Sequence, residues 1–234
     1  MRVALFIASI LTVLSVIMAD TFYVKSDGSS SSSCGSSPSH PCRHTNLDPI
    51  VDKLGPGDVI NFLGGFYSNV EFTSIRKGSQ DAPVRIIGSS TSTIRQIRID
   101  NSDNLWLEGL RIDGSDESNH GIKIIQSRYI SVVNSQIKNT GKTGIFLQES
   151  PYLLVNNTII SDTEEQCIKG LRYYETESQY RGDEDAYSAG VVISYSTLTN
   201  CGTDGIYIST QDVQIRRNRI SNTGFVKVYP PVHG

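Results

Sequence analysis

Two blocks decide the fold: GIKIIQSRYISVVNSQIKNTGKT (Gly121–Thr143) and, directly after it, GIFLQESPYLLVNNTIISDTEEQ (Gly144–Gln166), each 23 residues long. Gly121-Ile122, Gly144-Ile145 and Cys167-Ile168 open successive blocks. The next match, Ile206 of Gly205-Ile206, comes 38 residues after Ile168, which is one block plus an insertion of 15. A second marker keeps step with the first. Ile137, Ile160 and Leu198 each stand eight residues before the isoleucine of the following pair. A constant period of this size is the signature of a solenoid, in which each unit buries its apolar face only against its neighbours.

Working outward from the blocks, the pattern inside each one is short apolar alternation broken by polar turns. Ile122, Ile124, Ile130, Val132 and Ile137 form one set, and Ile145, Leu147, Leu153, Val155 and Ile160 form the next. Ile168, Val191, Ile193 and Leu198 follow, then Ile206, Ile208, Val213, Ile215 and Ile220. Alternation with Val, Ile and Thr predicts strands with one inward face. A 23-residue coil of three short strands has the size of one turn of a right-handed parallel β-helix, and the leucine spacing of leucine-rich repeats is absent. The fold class is therefore all-β. Asn134 and Asn157 occupy equivalent turn positions, where amides can hydrogen-bond one above another.

Toward the N-terminus, Thr21–Lys25 reads as a first strand and Ser26–His44 as a Ser/Gly/Pro-rich loop. Leu47, Ile50, Val51 and Leu54 recur at helical spacing over Asn46–Leu54, before the breaker Gly55-Pro56-Gly57-Asp58. A short amphipathic helix there would cover the open edge of the stack. Val59–Phe62, Val70–Ile75, Val84–Ile87 and Ile94–Ile99 read as early strands. Residues 1–19 read as a secretory signal peptide, with Arg2 before the apolar run Val3–Ile17 and cleavage after Ala19. That run is shorter than the roughly 20 residues of a membrane span, and no later segment could cross a bilayer. Residues 20–234 are then one secreted, extracellular, monomeric β-helix domain. Its end lacks a capping segment, and Pro230-Pro231 cannot build another coil, so the domain reads as C-terminally incomplete.

Lys and Arg total 21 against 24 Asp and Glu, a net charge of −3. No basic excess points to nucleic acid. Export permits disulfides. Cys34 and Cys42 bracket one loop and are expected to pair; Cys167 and Cys201 fall on neighbouring coils and are either bridged or free. Four cysteines allow three connectivities. Asn156-Asn157-Thr158 is a glycosylation sequon at Asn156.

Several phrases resemble secreted polysaccharide lyases of the pectate lyase-like superfamily. They are Phe22-Tyr23-Val24, Leu54-Gly55-Pro56-Gly57-Asp58-Val59-Ile60, Gly65-Phe66-Tyr67, Asp81-Ala82-Pro83-Val84-Arg85-Ile86-Ile87-Gly88 and Asn104-Leu105-Trp106-Leu107-Glu108-Gly109-Leu110-Arg111-Ile112. The resemblance implies that the outer face of the Gly-Ile strand lines the substrate cleft, where Lys123, Phe146, Lys169 and Tyr207 stack rung over rung, with His120 just before its Gly-Ile pair. Cations and rings in a row suit an acidic polysaccharide. The phrase Cys167-Ile168-Lys169 is similar to the lysine strand of calcium-dependent pectate lyases. It implies β-elimination with Lys169 as base and Arg172 lowering its pKa. Glu164, Glu165 and Asp204 would offer oxygen ligands to Ca²⁺, beside the acidic insertion Arg172–Tyr187. The family's cluster of aspartates is matched only by Asp162, Glu164 and Glu165. Hydrolysis is disfavoured, since the Arg-x-Lys and Gly-His-Gly phrases of β-helix polygalacturonases are missing. The expectation is a lyase acting on a uronate polymer; the alternative is a non-catalytic β-helix that binds polysaccharide or has a structural role.

Overall fold

A computed structural model describes residues 19–115, 119–171, 190–209, 212–224 and 226–229. Residues 1–18 of the expected signal peptide (1–19), Arg172 and the acidic insertion lie outside the described residues. The chain begins with β1 (Thr21–Lys25), β2 (Cys42–Arg43) and one helical turn, α1 (Asp48–Val51). It winds on through β3 (Val59–Phe62) and β4 (Gly65–Thr73), then β5 (Val84–Gly88) and β6 (Ser92–Asp100). From there each coil has three strands. The first set is β7 (Asp103–Glu108), β8 (Arg111–Asp113) and β9 (Ile122–Ile125). Next come β10 (Arg128–Val133), β11 (Gln136–Thr140) and β12 (Ile145–Gln148). They are followed by β13 (Leu153–Asn156), β14 (Ile159–Thr163) and β15 (Ile168–Leu171). Then stand β16 (Val192–Ser194), β17 (Thr197–Cys201) and β18 (Ile206–Ser209). The last set is β19 (Gln214–Arg216), β20 (Arg219–Ser221) and β21 (Val226–Tyr229).

All named strand pairs are parallel, and they form three faces of a prism. One face, A, stacks β1, β3, β5, β7, β10, β13, β16 and β19. Face B stacks β8, β11, β14, β17 and β20. Face C stacks β9, β12, β15, β18 and β21. The long β4 and β6 bend across both B and C: Ile94 pairs with Ile112 on one face, while Ile97 pairs with Ile122 on the other. The fold is thus the expected right-handed β-helix. The repeat isoleucines face inward, with Ile122, Ile145, Ile168 and Ile206 at 0% exposure. Each such burial contributes about 1.5–3 kcal/mol.

Turns are held by columns of polar side chains. Asn157 Nδ2 donates to Asn134 Oδ1 at 2.8 Å, the expected ladder. Both residues are left-handed, as are Gly109, Tyr195 and Arg217 in the same column. Asparagine tolerates that conformation better than most residues. A second ladder escaped the sequence reading: Asn222 donates to Asn200 at 3.0 Å and Asn200 to Asp162 at 2.8 Å. Inside the turns, buried hydroxyls accept backbone N–H bonds from the coil before, Ser102 to Ser127 to Ser150 and Ser135 to Thr158 to Ser196.

Two elements differ from expectation. The helix predicted over Asn46–Leu54 is only the turn α1. Beyond it Lys53 and Leu54 bond three residues back, to Ile50 and Val51, and Gly55 and Pro56 follow at once. Leu47, Ile50 and Leu54 are nevertheless buried in the common core. At the other end, β21 pairs with β18 and begins a further rung where none was expected. Both cysteine pairs are bridged, Cys34–Cys42 and Cys167–Cys201, with Cα–Cα distances of 4.9 and 5.3 Å. Among the described residues no helix is long and apolar enough to cross a membrane.

Candidate functional site

Face C is built so that alternate residues of each short strand point out. Lys123, Phe146, Lys169 and Tyr207 stand in register on β9, β12, β15 and β18. Each is half-buried between fully buried neighbours. The column also runs further toward the N-terminus than the repeat suggests, since Arg98 of β6 pairs with Lys123, and Glu71 of β4 with Arg98. Rungs are about 4.8 Å apart. Outward cations therefore recur on three of four successive rungs, Arg98, Lys123 and Lys169, with Phe146 between the two lysines.

Arg98 bonds Asp100 at 2.5 Å. Lys123, Lys169 and the turn residue Lys142 are in no ion pair with a described residue. Burial, then the positive charges of Arg98 and Lys142, hold the Lys123 ammonium below the usual lysine range, with Asp100 opposing. His120, on the turn before β9, stacks on Phe146 with ring centroids 4.6 Å apart and planes at 19°. Burial, with the positive Lys123 next, lowers the His120 pKa to about 4. The imidazole is therefore neutral at physiological pH.

At the N-terminal end of the column is a pocket of about 230 Å³, lined by Asn69, Val70, Glu71, Gln96, Arg98, Asn119, His120, Lys123 and Lys142. Of these, the sequence reading found only Lys123 and His120. Gln96-Ile97 stands where later coils carry Gly-Ile, and Lys142 lies on a turn, so neither carries the repeat's marker.

The candidate metal ligands fare differently. Glu165 accepts a hydrogen bond from Thr143 Oγ1 at 3.2 Å. Glu164 is exposed on the same turn, and Asp204 is 7% exposed one coil on. Among the described residues no three His, Cys, Asp or Glu side chains gather into a cation site. These residues alone do not make one. Asn156, the sequon asparagine, ends β13 with its amide bonded to Ser194 Oγ at 2.8 Å.

Residues 60–180 match the family described as the right handed beta helix region. The chain is 25% identical over 227 residues to the lacto-N-biosidase of Bifidobacterium longum subsp. longum, covering 90% of this chain and 13% of that protein. It thus spans a small part of that curated relative. Its fold is similar to the crystal structure of the pectate lyase Pel9A, with a TM-score of 0.53 at 15% identity over 86% of this chain and 55% of that one. It is also similar to the ORF18 protein of Geobacillus virus E2, with a TM-score of 0.50 at 13% identity over 78% of this chain and 37% of that one.

Proposed function

The chain belongs to the right-handed β-helix family, and from that premise we propose that it is a carbohydrate-active protein whose face C binds an acidic polysaccharide and cleaves it as a lyase. One observation carries the reading. Arg98, Lys123, Phe146, Lys169 and Tyr207 stand in one outward column, and its two lysines have no ion-pair partner among the described residues. The cations of Arg98 and Lys123, one rung apart, meet carboxylates of an extended uronate chain, and the rings pack on sugar faces. The printed names of a pectate lyase and a lacto-N-biosidase among the similar proteins support a carbohydrate setting. The two disulfides support an oxidising, extracytoplasmic location.

In the reaction, Lys169 is the base that removes the proton alpha to the uronate carboxylate. The electron pair forms the C4–C5 double bond, and the C4–O bond breaks with its pair on the leaving oxygen, which takes up a proton. The cations beside the carboxylate stabilise the carbanion that develops. The test is the absorbance of unsaturated uronate after incubation with pectate, alginate or glycosaminoglycans, with and without Ca²⁺. Product on one of them, lost in Lys169→Ala, is expected; no product on any overturns the lyase reading.

A non-catalytic polysaccharide binder is the second reading. It is favoured by the commitment of Glu165 to Thr143 and the burial of Asp204, which leave Lys169 without an acidic ligand set among the described residues. It predicts retention on the polymer, no product, and little change on Lys169→Ala.

A further inference from the structure

The pocket at the N-terminal end of the column is more than a stretch of surface lysines. It lies where β4, β6 and β9 run side by side, and two turns add His120 and Lys142 to it. Arg98, Lys123 and Lys142 bring three positive charges to one space of about 230 Å³, against a single lining carboxylate, Glu71. Only Arg98 has a carboxylate partner, Asp100. Their mutual repulsion is part of what holds Lys123 below its ordinary range, and an anion among them would relieve it.

The wall beside the cations is flat and uncharged. His120 lies against Phe146, and its buried Nδ1 has no hydrogen-bond partner. Lys123, Lys142 and Lys169 all oppose a positive imidazole, and Glu165 alone favours it. The pocket thus pairs a cationic rim with one neutral ring, His120, the combination that suits an amphipathic ring carrying one negative group.

The geometry points to this pocket as a subsite for a single anionic sugar unit. Its carboxylate or sulfate is held by Lys123, Lys142 and Arg98, and its ring rests against His120, which Phe146 backs. The inference rests on the acidic-polysaccharide reading and adds where charge is recognised. Lys123 and Lys169 are two rungs apart. One rung, about 4.8 Å, is close to the length a pyranose unit adds to an extended chain. The sugar recognised by its charge is therefore not the sugar beside Lys169. A lone acidic sugar fills the pocket without reaching Lys169, and only an oligomer spans both.

The experiment follows the His120 imidazole signals of the full chain by NMR during titration with glucuronate, glucose 6-sulfate and glucose. At least one anionic sugar produces saturable shifts and glucose none. Lys123→Met weakens that binding about tenfold or more, and Lys169→Met changes it less than about twofold. Lys142→Met stands in if Lys123→Met does not fold. Preference between the two anionic sugars tells which group the polymer carries. Equal shifts with glucose, no shifts with either anion, or full affinity in the lysine variants overturns the subsite. The two readings fail separately. Sugar binding without unsaturated product removes the lyase and keeps the subsite; product without binding at His120 removes the subsite alone.

Discussion

A Cβ on Gly121 would stand 2.5 Å from Ile137 Cγ2, on Gly144 2.5 Å from Ile160 Cγ2, and on Gly205 2.7 Å from Ile220 Cγ2. The two markers of the repeat are therefore one contact, a glycine making room for a β-branched side chain in its own coil. The exception supports this account. Cys167 replaces the glycine only in the coil where Leu198, which lacks that branch, replaces the isoleucine. Gly144→Ala should destabilise the protein by roughly 1–3 kcal/mol, and Ile160→Leu in the same chain should recover part of it. Urea unfolding of the two single variants and the double variant checks this, and strictly additive effects would refute the contact. His120 gives a second prediction at this scale. Its pKa in the folded chain is about 4, below the ordinary 6.5, so between those values the unfolded chain binds more protons. Stability should fall as the pH is lowered from 6.5 toward 4 and be unaffected above 6.5. Urea midpoints at pH 7 and pH 5 should differ more for the wild-type chain than for His120→Asn. Because the ring stays neutral, binding of an anionic sugar should be level from pH 5 to 8, whereas a cationic ring would lose its attraction as the pH rose.

Among the elements, β15 depends on a covalent tie. The Cys167–Cys201 bridge joins the residue before β15 to the end of β17 across a separation of 34 residues, and residues 172–189 fall within that loop. Loop-closure entropy assigns such a bridge about 4 kcal/mol, and about 2–3 kcal/mol to the eight-residue Cys34–Cys42 loop. The double variant Cys167→Ser/Cys201→Ser should lower the unfolding free energy more than the corresponding pair at 34 and 42, measured by denaturant titration; the reverse order would mean that the loop insertion is already constrained by packing. Elements also show where the sequence was readable and where it was not. From β9 to β15 the isoleucines step by 23, every turn has constant length, and both strands and outward residues were read correctly. Upstream, Val70, Ile97 and Ile122 are successive rungs at steps of 27 and 25. There β4 and β6 cross two faces as single strands, so no turn signal marks the corner. The period failed on those rungs, and with it went Arg98, Glu71 and most of the pocket. The Asp162, Asn200 and Asn222 ladder was hidden for a related reason, its steps of 38 and 22 being unlike the common one.

At the scale of the whole molecule, the pairing of charges along face C decides how binding should respond to salt. The net charge is −3, and several acids and bases of faces A and B pair with one another. Arg85 pairs with Glu108 at 2.7 Å, Lys138 with Asp113 at 3.3 Å, and Arg128 with Asp103 at 3.4 Å. Face C instead leaves Lys123, Lys142 and Lys169 without a described acid. On the proposed reading, an acidic polymer would be repelled by the net charge and attracted by this strip, so its binding would be local and electrostatic. Such attraction between partly exposed charges weakens as added salt shortens the screening length, from about 14 Å near 0.05 M to about 4 Å near 0.5 M. Retention on immobilised pectate or alginate should therefore drop by about tenfold or more over that range, while a neutral dextran should be retained at neither salt concentration. Lys123→Glu should reduce retention at low salt and flatten the salt dependence, because it removes charge from the strip and leaves faces A and B untouched. Retention that ignores salt, or that is equal for the neutral polymer, would mean that recognition lies outside the column on face C.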